Sequence, residues 1–362
     1  TQEMLQAVAP LIALSDAPVK NSRQLPRGTL LTNLAIRMPA SLAYESDSLA
    51  TPYYPGSPFK FTSRLRIDAG DRWAAGAAFE KDPGEHWTNS KRPEHFTGFL
   101  EYNPGKTLKK VILGNFRIHR GMGLVHGLGF SSGVTGVAID GYRRSYAKAF
   151  ASTLEYDYYR GIYAEVAKGK WSADLFCSAR PEDISLFRLE APVNLFEQIR
   201  RTGLHRTVSE RDGYDLARQY NAGFSVNRSA ERWYMGWSAA GSKMGLTNRG
   251  RDSVERIAPG INEEKLQGGL SCYGVGFGKG YELFGEVAVD HQAKVAVING
   301  ATVEVNPALL INFAFRMYQP GYTGQTPKAY GAGTKPENET GISYGMNVAP
   351  FNNARLFLGT DI

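Results

Sequence analysis

The chain has 362 residues, 42 Lys and Arg against 35 Asp and Glu, and 42% hydrophobic residues. That length suits one large domain or two ordinary ones. No run approaches the roughly 18 apolar residues of a membrane-spanning helix, which excludes an α-helical membrane protein. A mean hydropathy of −0.33 still admits a β-barrel, whose alternating strands average to near-neutral values. The formal charge of +7 allows an anionic partner, but the basic residues are scattered beyond Lys109-Lys110 and Arg143-Arg144. Nucleic acid is therefore not an expected partner of this segment.

At the start, Leu5, Val8, Leu11 and Ile12 recur at helical spacing before Pro18 and predict a short helix over 3–14. Residues 1–24 thus read as the end of a helical module and its linker, and 25–362 as a single β domain. From Gly28 the alternation is strand-like. Strands are expected at about 29–38, 58–69, 72–80, 94–103, 107–119, 145–158, 162–177, 215–227, 231–242, 266–278, 280–290, 294–303, 307–319, 340–348 and 353–362. Between 179 and 212 the pattern lapses into a long loop with room for a short helix. Residues 241–265 and 320–339 are polar and Gly-rich and read as further long loops.

The stretch Tyr281 to Asp290 shows the alternation best. Tyr281, Leu283, Gly285, Val287 and Val289 point one way, and Glu282, Phe284, Glu286, Ala288 and Asp290 the other. Phe61, Ser63, Leu65 and Ile67 oppose Arg64, Arg66 and Asp68, and Leu309 to Met317 oppose Asn312 and Arg316 in the same way. Runs of ten or more residues are long for a soluble sandwich and long enough to cross a bilayer at a tilt. With 40 Gly, 19 Tyr and 18 Phe, they predict a transmembrane antiparallel β-barrel of about fourteen to sixteen strands. Trp171, Trp233, Tyr281 and Tyr318 stand at strand ends where interfacial girdles form. The reading counts an odd fifteen strands, and Ile362 falls inside an apparent strand. One or more closing strands are therefore expected beyond this sequence. No signal-peptide pattern opens the chain, so it reads as processed or as part of a longer product.

Chemistry-bearing motifs are few. Arg64, Arg66, Arg117, Glu282, Glu286 and Arg316 are the candidate lumen residues that set the electrostatics of the interior. No HExxH, Cys/His cluster or GxSxG is present, so no catalytic, cofactor or metal residues are assigned. His119 reads as a solvated lumen residue and His291 as a surface imidazole. Closely spaced glycines in RGMGLVHGLGFSSG lack the GK[ST] of a phosphate loop and read as a bend, or as a place where chain packs closely. Glu155 with Asp157, and Glu282 with Glu286, read as hydrating carboxylates. Cys177 and Cys272 read as small apolar fillers, with a disulfide only if their strands adjoin.

The stretch ILGNFRIHRGMGLVHGLGF (Ile112 to Phe130) resembles a strand and glycine-rich turn of a family of Bacteroidota outer-membrane proteins. That family joins a ComEA-type helix-hairpin-helix module to a large β-barrel. GDRWAAGAAFEKDPGE, GLHRTVSER, YELFGEVAVD, MYQPGY and PENETGISYG agree in order, so the resemblance spans most of residues 25–362. The resemblance implies an outer-membrane location, contact with lipid and lipopolysaccharide, and service in an envelope complex for secretion, barrel assembly or uptake. It supplies no catalytic residues. The expected function is a non-enzymatic structural subunit or channel. The alternatives are a rim enzyme of lipase or protease type with His205 or His86 as base, and a DNA-uptake component.

Overall fold

The computed structural model describes residues 26–36, 56–86, 95–127, 145–185, 198–257, 265–324, 329–331, 337–351 and 354–362. The helix expected over 3–14, and the module to which it was assigned, lie outside those residues.

Among the described residues, one continuous antiparallel sheet holds sixteen strands. They are β1 (Arg27–Ile36), β2 (Phe59–Ala69), β3 (Trp73–Lys81), β4 (His95–Tyr102), β5 (Leu108–His119), β6 (Tyr146–Ala149), β7 (Tyr159–Lys168) and β8 (Trp171–Glu182). Then follow β9 (Ala217–Ser229), β10 (Trp233–Leu246), β11 (Lys265–Gly278), β12 (Tyr281–Asp290), β13 (Val295–Asn306), β14 (Leu309–Tyr318), β15 (Glu339–Phe351) and β16 (Ala354–Asp361). Among the described residues two short helices, α1 (Val208–Asp212) and α2 (Asn248–Ile257), lie between strands. Thr207 caps α1 by accepting from the Glu210 N–H, and Glu210 returns the bond in a capping box. No helix among the described residues is long and apolar enough to cross a membrane.

Strands adjacent in sequence are adjacent in the sheet, with one exception. β6 pairs with Phe116–His119 at the end of β5, and β5 passes on to β7 through Leu108–Phe116. Two boundaries differ from expectation here. The run over 145–158 leaves the sheet after Ala149, and Asp157 takes a left-handed backbone at φ 61°. The run over 162–177 is two strands, because Gly169 (φ 60°) turns the chain between Lys168 and Trp171. The outward face is even-numbered before the turn (Ile162, Val166) and odd-numbered after it (Trp171, Leu175), a change of phase that a single strand over 162–177 passes over. The split takes the count among the described residues from an odd fifteen to sixteen. Among the described residues β1 pairs only with β2 and β16 only with β15.

The two faces of the sheet differ as the sequence predicts. On β12, Tyr281, Leu283, Val287 and Val289 are 39–54% exposed, while Phe284, Glu286, Ala288 and Asp290 are buried. Leu65, Leu100, Leu113, Ile162, Leu175, Phe224, Leu270 and Phe313 continue the exposed apolar face around the sheet. This is the lipid-facing band of a transmembrane barrel. Cys177 and Cys272 lie in it as free thiols, on strands separated by β9 and β10, so they do not pair. The inward face is less polar than expected. Phe99, Ile112, Phe116, Tyr159, Tyr163 and Phe176 form one apolar cluster there, and Phe284, Ile298 and Tyr318 belong to another.

The two rims are unlike. The β2–β3, β4–β5, β7–β8, β9–β10, β11–β12, β13–β14 and β15–β16 connections take only two to five residues. The long connections gather at the opposite rim, the asymmetry of outer-membrane barrels. Aromatic residues ring the short-turn rim. Trp73 stacks on Tyr102 at 4.2 Å, and the Arg228 guanidinium lies 5.4 Å from both the Trp171 and Trp233 rings. An arginine held between two indoles can reach the interface from a lipid-facing position. Tyr318 departs from the expected girdle. It faces inward at 2% exposure and donates to the Tyr330 carbonyl.

Candidate functional site

The chain that leaves β5 turns into the barrel. Arg120 through Gly127 are all buried. The segment closes on itself: the Arg120 N–H donates to the His126 carbonyl and the Gly123 N–H to the Arg120 carbonyl, each at 3.0 Å. Gly121 and Gly123 have φ of 56° and 86°, which L side chains rarely adopt. A Cβ on Gly121 would fall 2.7 Å from Glu286 Oε2 and 2.8 Å from Tyr273 Cβ. The glycines expected to mark close chain packing thus serve a segment folded inward against the barrel wall.

Three walls hold this segment. On β7–β9, the Arg120 Nη2 donates to Asp174 Oδ2 at 2.7 Å and to the Tyr163 hydroxyl at 3.0 Å, and its Nε donates to Ser225 Oγ at 3.2 Å. On β12, Glu286 Oε2 accepts the Met122 N–H at 2.6 Å and the Leu124 N–H at 3.2 Å. From the chain beyond β14, the Tyr322 hydroxyl donates to the Leu124 carbonyl at 2.9 Å. Leu124 and Val125 are completely buried against Phe284, Ala288 and Ile298. The backbone N–H groups of a non-helical segment need such acceptors when water is excluded.

A second cluster lies at the long-loop rim. His205 Nε2 meets Asp183 Oδ2 at 2.6 Å, and Asp183 Oδ1 accepts the Asp215 N–H at 2.9 Å. Glu85 accepts the N–H groups of His205 at 2.9 Å and Asp82 at 2.7 Å, tying the 198–207 segment to the turn after β3. Burial pushes the Glu85 carboxyl up to about 7. Beside it is a cavity of about 200 Å³ lined by Glu155, Asp183, Arg160, Arg201, Tyr156 and His205, among others. Burial, then neighbouring carboxylates, push Glu155 up to about 10. Among the described residues, no group of three His, Cys, Asp or Glu side chains has metal-binding geometry.

The six sequence candidates are dispersed around the barrel. Glu286 lies beneath the 120–127 segment at 1% exposure. Arg316, 2% exposed, reaches across β15 to β16 and donates to Ser343 Oγ at 2.9 Å and to Asp361 at 2.6 and 2.7 Å. Arg64 and Arg66 share the inward side of β2; Arg64 donates to Thr153 Oγ1 at 2.9 Å, and Arg66 to Asp68 at 2.8 and 3.0 Å. Glu282 is half-buried on the Glu286 side of β12. Arg117 lies on the side of β5 opposite the inward Phe116 and Ile118, stacks 4.1 Å over Phe150 and donates to the Asp157 carbonyl. Glu155 and Asp157 are on the loop after β6 rather than on one strand face. His119 is buried and stacked on Tyr146, not solvated, while His291 is exposed. The sequence reading missed Arg120 and Asp174. The available signal was an acid at an inward position of β8, which requires a buried partner.

No protein-family model matches this chain, and no curated protein is similar to it. Solved structures similar to it are bacterial outer-membrane barrels. An anion-selective porin from Comamonas acidovorans is 14% identical, with 85% of this chain and 90% of that chain covered at a TM-score of 0.35. OmpF of Salmonella typhi, in complex with daunomycin, is 8% identical, with 92% and 88% covered at 0.38. OmpT of Vibrio cholerae is 10% identical, with 92% and 97% covered at 0.33.

Proposed function

We propose that this chain is a non-enzymatic outer-membrane barrel whose resting lumen is plugged by its own residues 120–127. The observation that carries this reading is the burial of Arg120 to Gly127 between β7–β9 and β11–β12. Such a barrel serves either as a gated channel or as a structural subunit of an envelope complex for secretion, assembly or uptake. Its partners are outer-membrane lipid and lipopolysaccharide along the apolar band, and other envelope proteins. The affiliation with helix-hairpin-helix barrels of Bacteroidota belongs to the same reading and rests on the ordered motifs around Ile112–Phe130. Planar-bilayer recordings test it. The native chain is expected to be silent, and a chain with residues 121–126 replaced by a Gly-Ser hairpin is expected to conduct. Equal conductance of the two would refute the plug.

A rim enzyme is the second reading, favoured by the contact between His205 and Asp183. It requires His205 as base. Hydrolase activity on ester and peptide substrates, lost in His205→Ala but kept in His86→Ala, would replace the first reading.

A further inference from the structure

Cations that lie far apart in the sequence meet on the short-turn rim. Lys106 and Lys109 stand at the β4–β5 turn, Lys168 and Lys170 at β7–β8, Arg228 and Arg232 at β9–β10, and Lys279 at β11–β12, all exposed. Backbone hydrogen bonds set these turns side by side. The Ala167 N–H donates to the Thr107 carbonyl at 2.8 Å, the Ser229 N–H to the Lys170 carbonyl at 2.8 Å, and the Phe277 N–H to the Arg232 carbonyl at 2.7 Å. Among the described residues, Glu231 is the one exposed acid on this arc. Glu101, Glu165 and Glu282 face inward, behind the wall. Elsewhere on the rim exposed charges nearly cancel, Arg27, Arg72 and Arg355 standing against Asp71 and Glu304. Like charges gathered on one arc create a local field that an anion relieves.

We propose that this arc binds the phosphate of an anionic glycerophospholipid, of the phosphatidylglycerol type, in the leaflet on the short-turn side. The inference rests on the transmembrane reading of the apolar band and is independent of the plug. Depth decides for lipid over an acidic protein. Lys168 and Arg228 both pair with Trp171 across the sheet, on the face that presents Ile162, Val166 and Leu175 to lipid. The Arg228 guanidinium lies 5.4 Å from the Trp171 and Trp233 rings, which places it at the level of the aromatic girdle, where headgroups lie. The ring faces hold the cation without neutralising it. A soluble protein resting on the turn tips meets Lys106, Lys170, Arg232 and Lys279, whereas the lipid-facing Lys168 and Arg228 are open to a headgroup alongside the wall. Attraction between interfacial Lys or Arg and anionic lipid falls off within a Debye length, so it weakens with salt.

The test uses the full chain in phosphatidylcholine vesicles. Its five tryptophans are reduced to Trp171 and Trp233 by changing Trp73, Trp87 and Trp237 to Phe. Lipids brominated near the headgroup end of their acyl chains quench adjacent indoles, and brominated phosphatidylglycerol is compared with brominated phosphatidylcholine. Phosphatidylglycerol is expected to be preferred about fivefold, the attraction of one engaged cation. The preference should fall to within about twofold in Lys168→Gln/Arg228→Gln, and likewise in about 1 M salt. A chain that keeps Trp73 alone should show little preference, because its part of the rim is nearly balanced. Equal quenching of Trp171 and Trp233 by the two lipids overturns the proposal, as does an equal preference at Trp73 or one that survives Lys168→Gln/Arg228→Gln. Binding of polyglutamate without any preference for phosphatidylglycerol also overturns it, and assigns the arc to an acidic protein. Quenching by neither lipid would remove the transmembrane reading itself and the proposal with it.

Discussion

Replacing Asp174 with Asn should loosen the plug while leaving the barrel wall intact. Arg120 and Asp174 have side chains 6% and 5% exposed and meet at 2.7 Å. Removing one partner of such a buried pair costs about 3–5 kcal/mol, because the other charge stays buried without compensation. Arg120 keeps its bonds to Ser225, Tyr163 and the His119 carbonyl, which argues for the lower end. A loss of about 3 kcal/mol shifts the docked-to-undocked equilibrium roughly a hundredfold. Leu124→Cys, in a background with Cys177 and Cys272 changed to Ala, reports undocking through its reaction with a water-soluble maleimide. Labelling should be about a hundredfold faster with Asp174→Asn than without it, and bilayer recordings should show openings that the parent lacks. Equal labelling rates in the two backgrounds would refute the assignment of this ion pair as the plug's anchor.

Gly121→Val should undock the same segment, since its added carbons collide with Glu286 and Tyr273; the Leu124→Cys assay reads the outcome. Arg316→Ala should free β16 from β14 and β15, seen as faster hydrogen exchange at Leu356–Leu358 with little change at Leu283–Val289. Val287→Arg places a charge midway along the lipid face of β12 and should cost about 2–4 kcal/mol in refolding titrations into bilayers. Glu85 gives a pH dependence. Its folded-state pKa of about 7 lies above its ordinary 4.5, so its contribution is fully present below the ordinary value and lost as pH rises through 7. The loss is at most about 3 kcal/mol, and Glu85→Gln should flatten that part of the stability–pH curve.

Sequence alone decided which side of each strand meets lipid. Side chains alternate with a period of two, so Leu283 and Val287 face opposite Glu286 wherever the strand sits. The class of fold, the long-loop rim and the exposed band follow from that local rule. The glycines of 121–127 announced close packing, but not against what. The partners of that segment, Asp174 and Glu286, stand on strands far apart in sequence and meet only because the wall wraps around a common interior. The short β6 and the side taken by Arg117 depended on how β5 pairs with β6 and β7, whereas the turn at Gly169 and the inward Tyr318, two residues on from Arg316, follow from local rules. Whether an inward polar group hydrates a lumen or anchors a plug depends on what fills the space opposite it. That is a property of the wrapped sheet, not of any single strand.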